Sequence, residues 1–263
     1  MRSDLLKHLC RHLTVAALLT AGSIFLSGCS DQEADRGELL TKAVECGRAG
    51  NWLECEKNAL KVLKHNPADR HALLLRSLAS EHLGKADIAL DSARQAAENA
   101  PDDFAALYNY GRLLALKPEA AKSAIQVLER ALKKRPGNRN TLILLGNCSS
   151  RINANNAIKY YQALPENVRK LPEIQTRMAI YYLDRRDQQN NNLALAYKAL
   201  RNAYLAAPGN PGIVLNMALF LDHYVHNKRK AVSFYRSYLF LTEHNPELNS
   251  SRAQVNARIS SLR

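Results

Sequence analysis

The cysteines are the first side chains to consider for chemistry. There are five, Cys10, Cys29, Cys46, Cys55 and Cys148. A thiolate can attack, carry a covalent group, bind a soft metal or pair with a second thiol. No Cys-x-x-Cys pair occurs, so the simplest metal or redox motif is missing. The nearest approach to a metal site is Asp222-His223-x-x-His226, where two histidines could share a helix face. Ordinary surface histidines at a helix end are the expectation there, and no metal. There is no Gly-rich phosphate loop and no Ser-His-Asp or Cys-His arrangement in an active-site context. The sequence therefore predicts neither an enzyme nor a cofactor. Tyrosines interleave with arginines (Tyr181, Tyr182, Arg185 and Arg186; Tyr235, Arg236 and Tyr238), a pattern that can stack bases. On helices such tyrosines are expected in packing, and nucleic acid is not an expected partner.

Cys29 stands at the end of a distinctive leader. Arg2, Lys7 and Arg11 give a positive start, and residues 13–25 form an apolar run with only small interruptions. That order fits a secretory signal, and the run is short for a membrane-spanning helix. Leu26-Ser27-Gly28-Cys29 then resembles the lipobox of bacterial lipoproteins. The resemblance implies that residues 1–28 are removed as a signal peptide and that Cys29 is lipidated, its thiol by diacylglycerol and its new amino group by an acyl chain. Several acyl chains anchor stably where one is marginal, since each buried methylene contributes about 0.8 kcal/mol. Ser30 rather than Asp follows the cysteine, which by the sorting rule of enteric lipoproteins implies the outer membrane, facing the periplasm. Residues 29–37 are polar and read as a tether.

From residue 38 onward apolar residues recur at helical spacing, with no sustained alternation that would argue for a sheet. Prolines set the period. Pro67 and Pro101 are 34 residues apart, Pro101 and Pro136 are 35, and Pro136 and Pro208 are 72, twice 36. Small and bulky residues recur in phase: Ala124, Leu128, Ala131 and Pro136, then Ala196, Leu200, Ala203 and Pro208. First helices carry Leu107, Tyr110-Gly111 and Leu114, or Leu142, Leu145-Gly146 and Ser149. A period near 34 with this pattern resembles the tetratricopeptide repeat. The resemblance implies an all-α, right-handed superhelical solenoid of antiparallel helix pairs. It covers residues 38–246 as about six units, near 36–69, 70–103, 104–138, 139–171, 172–210 and 211–246. Residues 247–263 read as a C-terminal capping helix, which a solenoid end requires. Pro165 shortens the second helix of the fourth unit, and residues 184–192 enlarge the turn of the fifth.

In such hairpins Cys46 and Cys55 lie nearly symmetrically about the turn at Gly50-Asn51. An oxidising compartment would allow a disulfide if the Cα atoms are close enough; the alternative is two reduced cysteines in alanine-like slots. The first helices line the concave face of a solenoid. That face is expected to present Leu74, Leu78, Tyr108, Arg112, Ile143, Asn147, Arg151, Ile180, Leu183, Leu215 and Leu219, some of them packing between repeats. Apolar residues flanked by Arg and Asn suit an extended peptide or a partner helix. The Lys/Asn/Arg clamp of chaperone-binding members is only partly matched by Tyr108, Arg112, Asn140, Asn147 and Arg151, so that specificity is not carried over.

The formal charge is +13, which favours an acidic partner. Its distribution is polar. Residues 30–103 hold ten Lys/Arg against fourteen Asp/Glu, and residues 104–263 hold 24 against nine. The expected function is a lipid-anchored scaffold or adaptor of the bacterial envelope that binds proteins or peptides along its groove. In outline such a build is similar to type IV pilus pilotins and outer-membrane assembly factors. The alternative is a module that binds anionic envelope polymers or lipid head groups through repeats three to six.

Overall fold

The computed structural model describes residues 31–189 and 191–262, so Cys10 and the lipobox, with Cys29, lie outside the described residues. Among the described residues there are fourteen α-helices and no strand. The chain divides into two compact units, residues 1–148 and 149–263. In the first, α1 (Asp31–Arg48) pairs with α2 (Trp52–His65), α3 (Arg70–His82) with α4 (Ala86–Asn99), and α5 (Phe104–Ala115) with α6 (Ala121–Lys134). The division falls within α7 (Arg139–Arg151). The second unit holds two short helices, α8 (Ala157–Gln162) and α9 (Glu166–Arg169). There α10 (Pro172–Asp184) pairs with α11 (Asn192–Ala206) and α12 (Pro211–His223) with α13 (Lys228–Leu241), and α14 (Asn249–Ser261) follows.

The prolines that set the period do so through a cap two residues later. Asp69 accepts from the amides of His71 and Ala72, Asp103 from Ala106, Asn138 from Thr141, and Asn210 from Gly212 and Ile213. Each carboxylate or amide satisfies amides that a helix start leaves orphaned, worth about 1 kcal/mol per cap. The pattern is Pro-x-Asp/Asn, and it was visible in the sequence without being used. The two aspartates also receive an arginine from one repeat earlier. Arg36 donates to Asp69 at 2.5 Å and Arg70 to Asp103 at 3.1 Å.

Some of the hairpin turns use a left-handed residue. Gly50 (φ 76°) and Gly84 (φ 75°) supply it in the first two hairpins, where a side chain would be strained. The turn between α12 and α13 instead places His226 at φ 55°.

Close helix pairing comes from the small residues in each hairpin. Ala59, Ala93, Ala96, Ala124, Ala131, Ala196 and Ala203 have no exposed surface. Gly111 lies so near α6 that a Cβ there would sit 2.7 Å from Cγ of Leu128, itself fully buried. Pro165 ends the fourth repeat's second helix early, leaving the six residues of α8. Between α10 and α11 lies the enlarged polar turn.

Residues 31–37 are not a tether. They form the opening turns of α1, because Arg36 is held by Asp69 and Glu38 pairs with Lys42 one turn on at 2.5 Å. At the far end α14 buries Val255 and Ile259 in the cluster that holds Tyr235 and Tyr238. The Tyr238 hydroxyl donates to Ser251 at 2.8 Å.

Replacing Gly111 by Val should overpack the α5–α6 contact and lower the unfolding free energy by about 1–3 kcal/mol. Urea denaturation monitored by circular dichroism reads this as an earlier midpoint. An unchanged midpoint would mean that the two helices do not depend on close approach there.

Candidate partner-binding surface

The expected groove residues divide sharply by unit. In the first unit Leu74, Leu78, Tyr108, Arg112 and Asn147 are all buried, and Ile143 is half-buried. They are therefore not a binding face. Between α3 and α5 a polar seam fills part of this face. Arg112 is 2% exposed and donates both terminal nitrogens to Glu81, at 2.8 and 2.5 Å. It also donates to Asn109 at 2.9 Å, and Asn109 donates to Ser77, whose hydroxyl donates to the Ala89 carbonyl. A neighbouring set joins Ser80 and Lys85 to the buried Glu56. Burial alone would raise the Glu56 carboxyl, but the hydrogen bonds from Lys85 and Ser80 outweigh it and hold the group below its ordinary value. A charged pair so enclosed is strongly destabilised by losing one partner. Arg112 thus acts in the fold and presents no clamp.

In the second unit the same helix positions stay open. Ile180 and Leu219 are 36% and 37% exposed. Leu183 and Leu215 are half-buried against one core cluster that includes Val214, Met217 and Phe220. Arg151 is exposed. The structure brings these apolar residues to the first-helix face of α10 and α12.

The remaining candidates resolve as follows. Cys46 and Cys55 share an apolar cluster with Ala43 and Ala79, and both are free thiols. In this structure they take the second of the two arrangements expected for them, as packing side chains. Burial pushes the Cys55 thiol up to about 11, so it stays protonated and a poor nucleophile at neutral pH. His223 and His226 are exposed, and no cluster of three metal-ligating side chains occurs among the described residues. Tyr181, Tyr182, Tyr235 and Tyr238 are buried. Arg185 is buried too, 4.1 Å over the Tyr181 ring and bonded to the Asn153 carbonyl at 2.6 Å. These residues form no stacking surface. Among the described residues no helix is long and apolar enough to cross a membrane.

A second surface lies on the opposite members of the hairpins, and the sequence reading missed it. Between α11 and α13 runs a cleft of about 340 Å³ lined by Tyr197, Tyr204, Leu205 and Phe234, with Met217 and Leu221 at its floor and Arg201 and Lys230 at its rim. Tyr204 and Phe234 meet edge to face at 5.2 Å. On the other flank of α13 lies a recess of about 690 Å³ lined by Lys228, Arg229, Val232, Arg236 and Leu262. Ser233 lines both. The sequence signal was faint, namely aromatic residues outside the repeat's alanine positions beside unpaired cations.

This architecture is that of tetratricopeptide-repeat proteins. Solved structures similar to it include PilF of Pseudomonas aeruginosa, with a TM-score of 0.62 and 17% identity, over 86% of this chain and all of that one. PilW, a type IV pilus biogenesis factor, matches at a TM-score of 0.64 and 18% identity, over 82% of this chain and 97% of that one. YrrB, a tetratricopeptide protein with a peptide-binding site, matches at 0.57 and 18%, over 71% of this chain and 93% of that one. No protein-family model and no curated protein sequence matches the chain.

Asp222 sits on the first-helix face beside Leu219 and ties α12 to the capping helix. Arg258 donates to its two oxygens at 2.7 and 2.9 Å, and the Tyr235 hydroxyl donates at 2.9 Å. The Arg258 hydrogen bond holds the Asp222 carboxyl below its ordinary value against the opposing effect of burial. A carboxyl lowered on folding stabilises the protein above its unfolded pKa of about 3.9, and that contribution is lost as pH falls through the folded value. Asp222→Asn should be less stable than the parent at pH 7, and the gap should close as pH drops below about 4. Urea titrations at several pH values measure this. A gap that is constant with pH would remove the charge from the account.

Proposed function

We propose that this protein is a lipid-anchored, non-enzymatic scaffold of the bacterial cell envelope that binds protein or peptide partners on its repeats. The observation that carries this reading is the open apolar face of α10 and α12, where Ile180 and Leu219 keep more than a third of their surface at first-helix positions that are closed in the first unit. Exposed apolar side chains on a rigid helix face are a docking surface for a partner helix or extended segment. The lipobox supports the anchor, with Cys29 carrying the lipid, and the leader supports export. The likeness in fold to PilF and PilW supports a place in the assembly of an envelope machine such as a pilus, and the likeness to YrrB supports a peptide or protein as partner.

Two variants separate the parts of this reading. Cys29→Ser should abolish incorporation of radiolabelled palmitate and leave residues 1–28 attached, read by mass spectrometry as a larger protein. Leu219→Asp should leave lipidation and membrane association intact but reduce the proteins recovered by crosslinking in cells by about tenfold. Palmitate labelling of the Cys29→Ser variant contradicts the anchor. An unchanged set of crosslinked proteins in Leu219→Asp contradicts the groove.

A further inference from the structure

The face built by α11 and α13 carries charge that the fold does not use. Residues 192–241 contain six cations, Lys198, Arg201, Lys228, Arg229, Lys230 and Arg236, and one acid, Asp222. Asp222 is buried and engaged by Arg258. All six cations are exposed, and among the described residues none of them enters an ion pair. Some cations elsewhere are used by the fold, since Arg36, Arg70, Lys85, Arg112 and Arg258 each hold an acid. The same face also exposes large apolar groups. Leu205 is 62% exposed and Phe240 77%. Phe240 lies seven residues beyond Ser233, on the same side of α13.

We propose that the α11–α13 face binds an acidic segment of a partner protein that carries an apolar anchor, the segment crossing α13 at Ser233. Ser233 is exposed and small, and it borders both recesses. A chain laid over it places an apolar side chain in the cleft of Tyr197, Tyr204 and Phe234. Its carboxylates then reach Lys228, Arg229 and Arg236 on the other flank. Charge complementarity supplies steering and register, and the aromatic cleft supplies the anchor. A lipid surface fits less well. Leu205 and Phe240 protrude as a membrane contact would, but Tyr197, Tyr204 and Phe234 line a recess that suits a single inserted side chain. This surface is made by the second helices of the hairpins, so it is additional to the first-helix face proposed above and does not depend on it.

The test uses the full-length chain in mild detergent and three probes. They are a short fluorescein-labelled peptide of glutamates around one Phe and one Leu, its lysine-for-glutamate counterpart, and vesicles containing phosphatidylglycerol. The acidic peptide should bind and its basic counterpart should not, as read by fluorescence anisotropy. Ser233→Trp, which fills the crossing point from an exposed position, and the Arg229→Glu/Arg236→Glu pair should each weaken binding at least about tenfold. Leu219→Asp should leave it unchanged, and thermal melts should show all variants folded. Equal binding of the acidic peptide to the parent and both α13 variants overturns the proposal. So does failure of the peptide to bind, and vesicle recruitment lost in the charge-reversed variant would then assign the face to an anionic membrane.

Discussion

The close approach of paired helices is the constraint on which everything else rests. A single helical hairpin of this kind cannot bury its apolar side alone, and stacking supplies the missing partner. The approach requires near-absence of side chain where two backbones meet, and Ala59, Ala93, Ala124, Ala196 and Gly111 provide it. Several hairpins are then held at their start by a capping side chain, as at Asp69, Asp103, Asn138 and Asn210, and some at their turn by a left-handed residue, as at Gly50 and Gly84. Once these positions are taken, the remaining faces of the helices are free to differ from repeat to repeat. Function on such a fold lives in that difference.

The difference is largest between the two units. In the first, the first-helix positions are closed by Arg112, Glu81, Asn109 and Ser77, which join neighbouring repeats through a buried polar seam. In the second, those positions hold Ile180 and Leu219 and stay open. Some cations are used by the fold and others are left to solvent. Cations of the first unit such as Arg36, Arg70 and Arg112 are spent on acids within the fold. Those of α11 and α13 face solvent without such partners. The α11–α13 face is thus one concentrated part of an excess of positive charge that extends over residues 104–263.

Much of this was legible in the residues. The prolines and the Ala-Leu-Ala phasing define helix pairs, because a period near 34 reports a backbone repeat that single substitutions do not obscure. Pro165 and the polar stretch before Asn192 mark the irregular fourth and fifth repeats correctly for the same reason. The groove was not legible in full. Whether Leu74, Tyr108 or Arg112 faces solvent depends on how closely the next first helix packs, and that distance is set by side chains 30 or more residues away, as in the Arg112–Glu81 pair. The opening turns of α1 were read as a tether because local composition is polar, while Asp69, 33 residues on, supplies the partner that Arg36 needs. The α11–α13 cleft escaped notice because tyrosines beside arginines look alike whether buried, as at Tyr181, or exposed, as at Tyr197.

The central claim is that partners meet the second unit. Photo-crosslinking in living cells tests this directly, with a light-activated amino acid placed at one exposed position at a time. Positions 180 and 219 sample the open first-helix face, and Leu53 and Leu60, 66% and 42% exposed, sample the first unit. The account predicts protein adducts from 180 and 219 and none from 53 and 60. Adducts from the first-unit positions alone would contradict it.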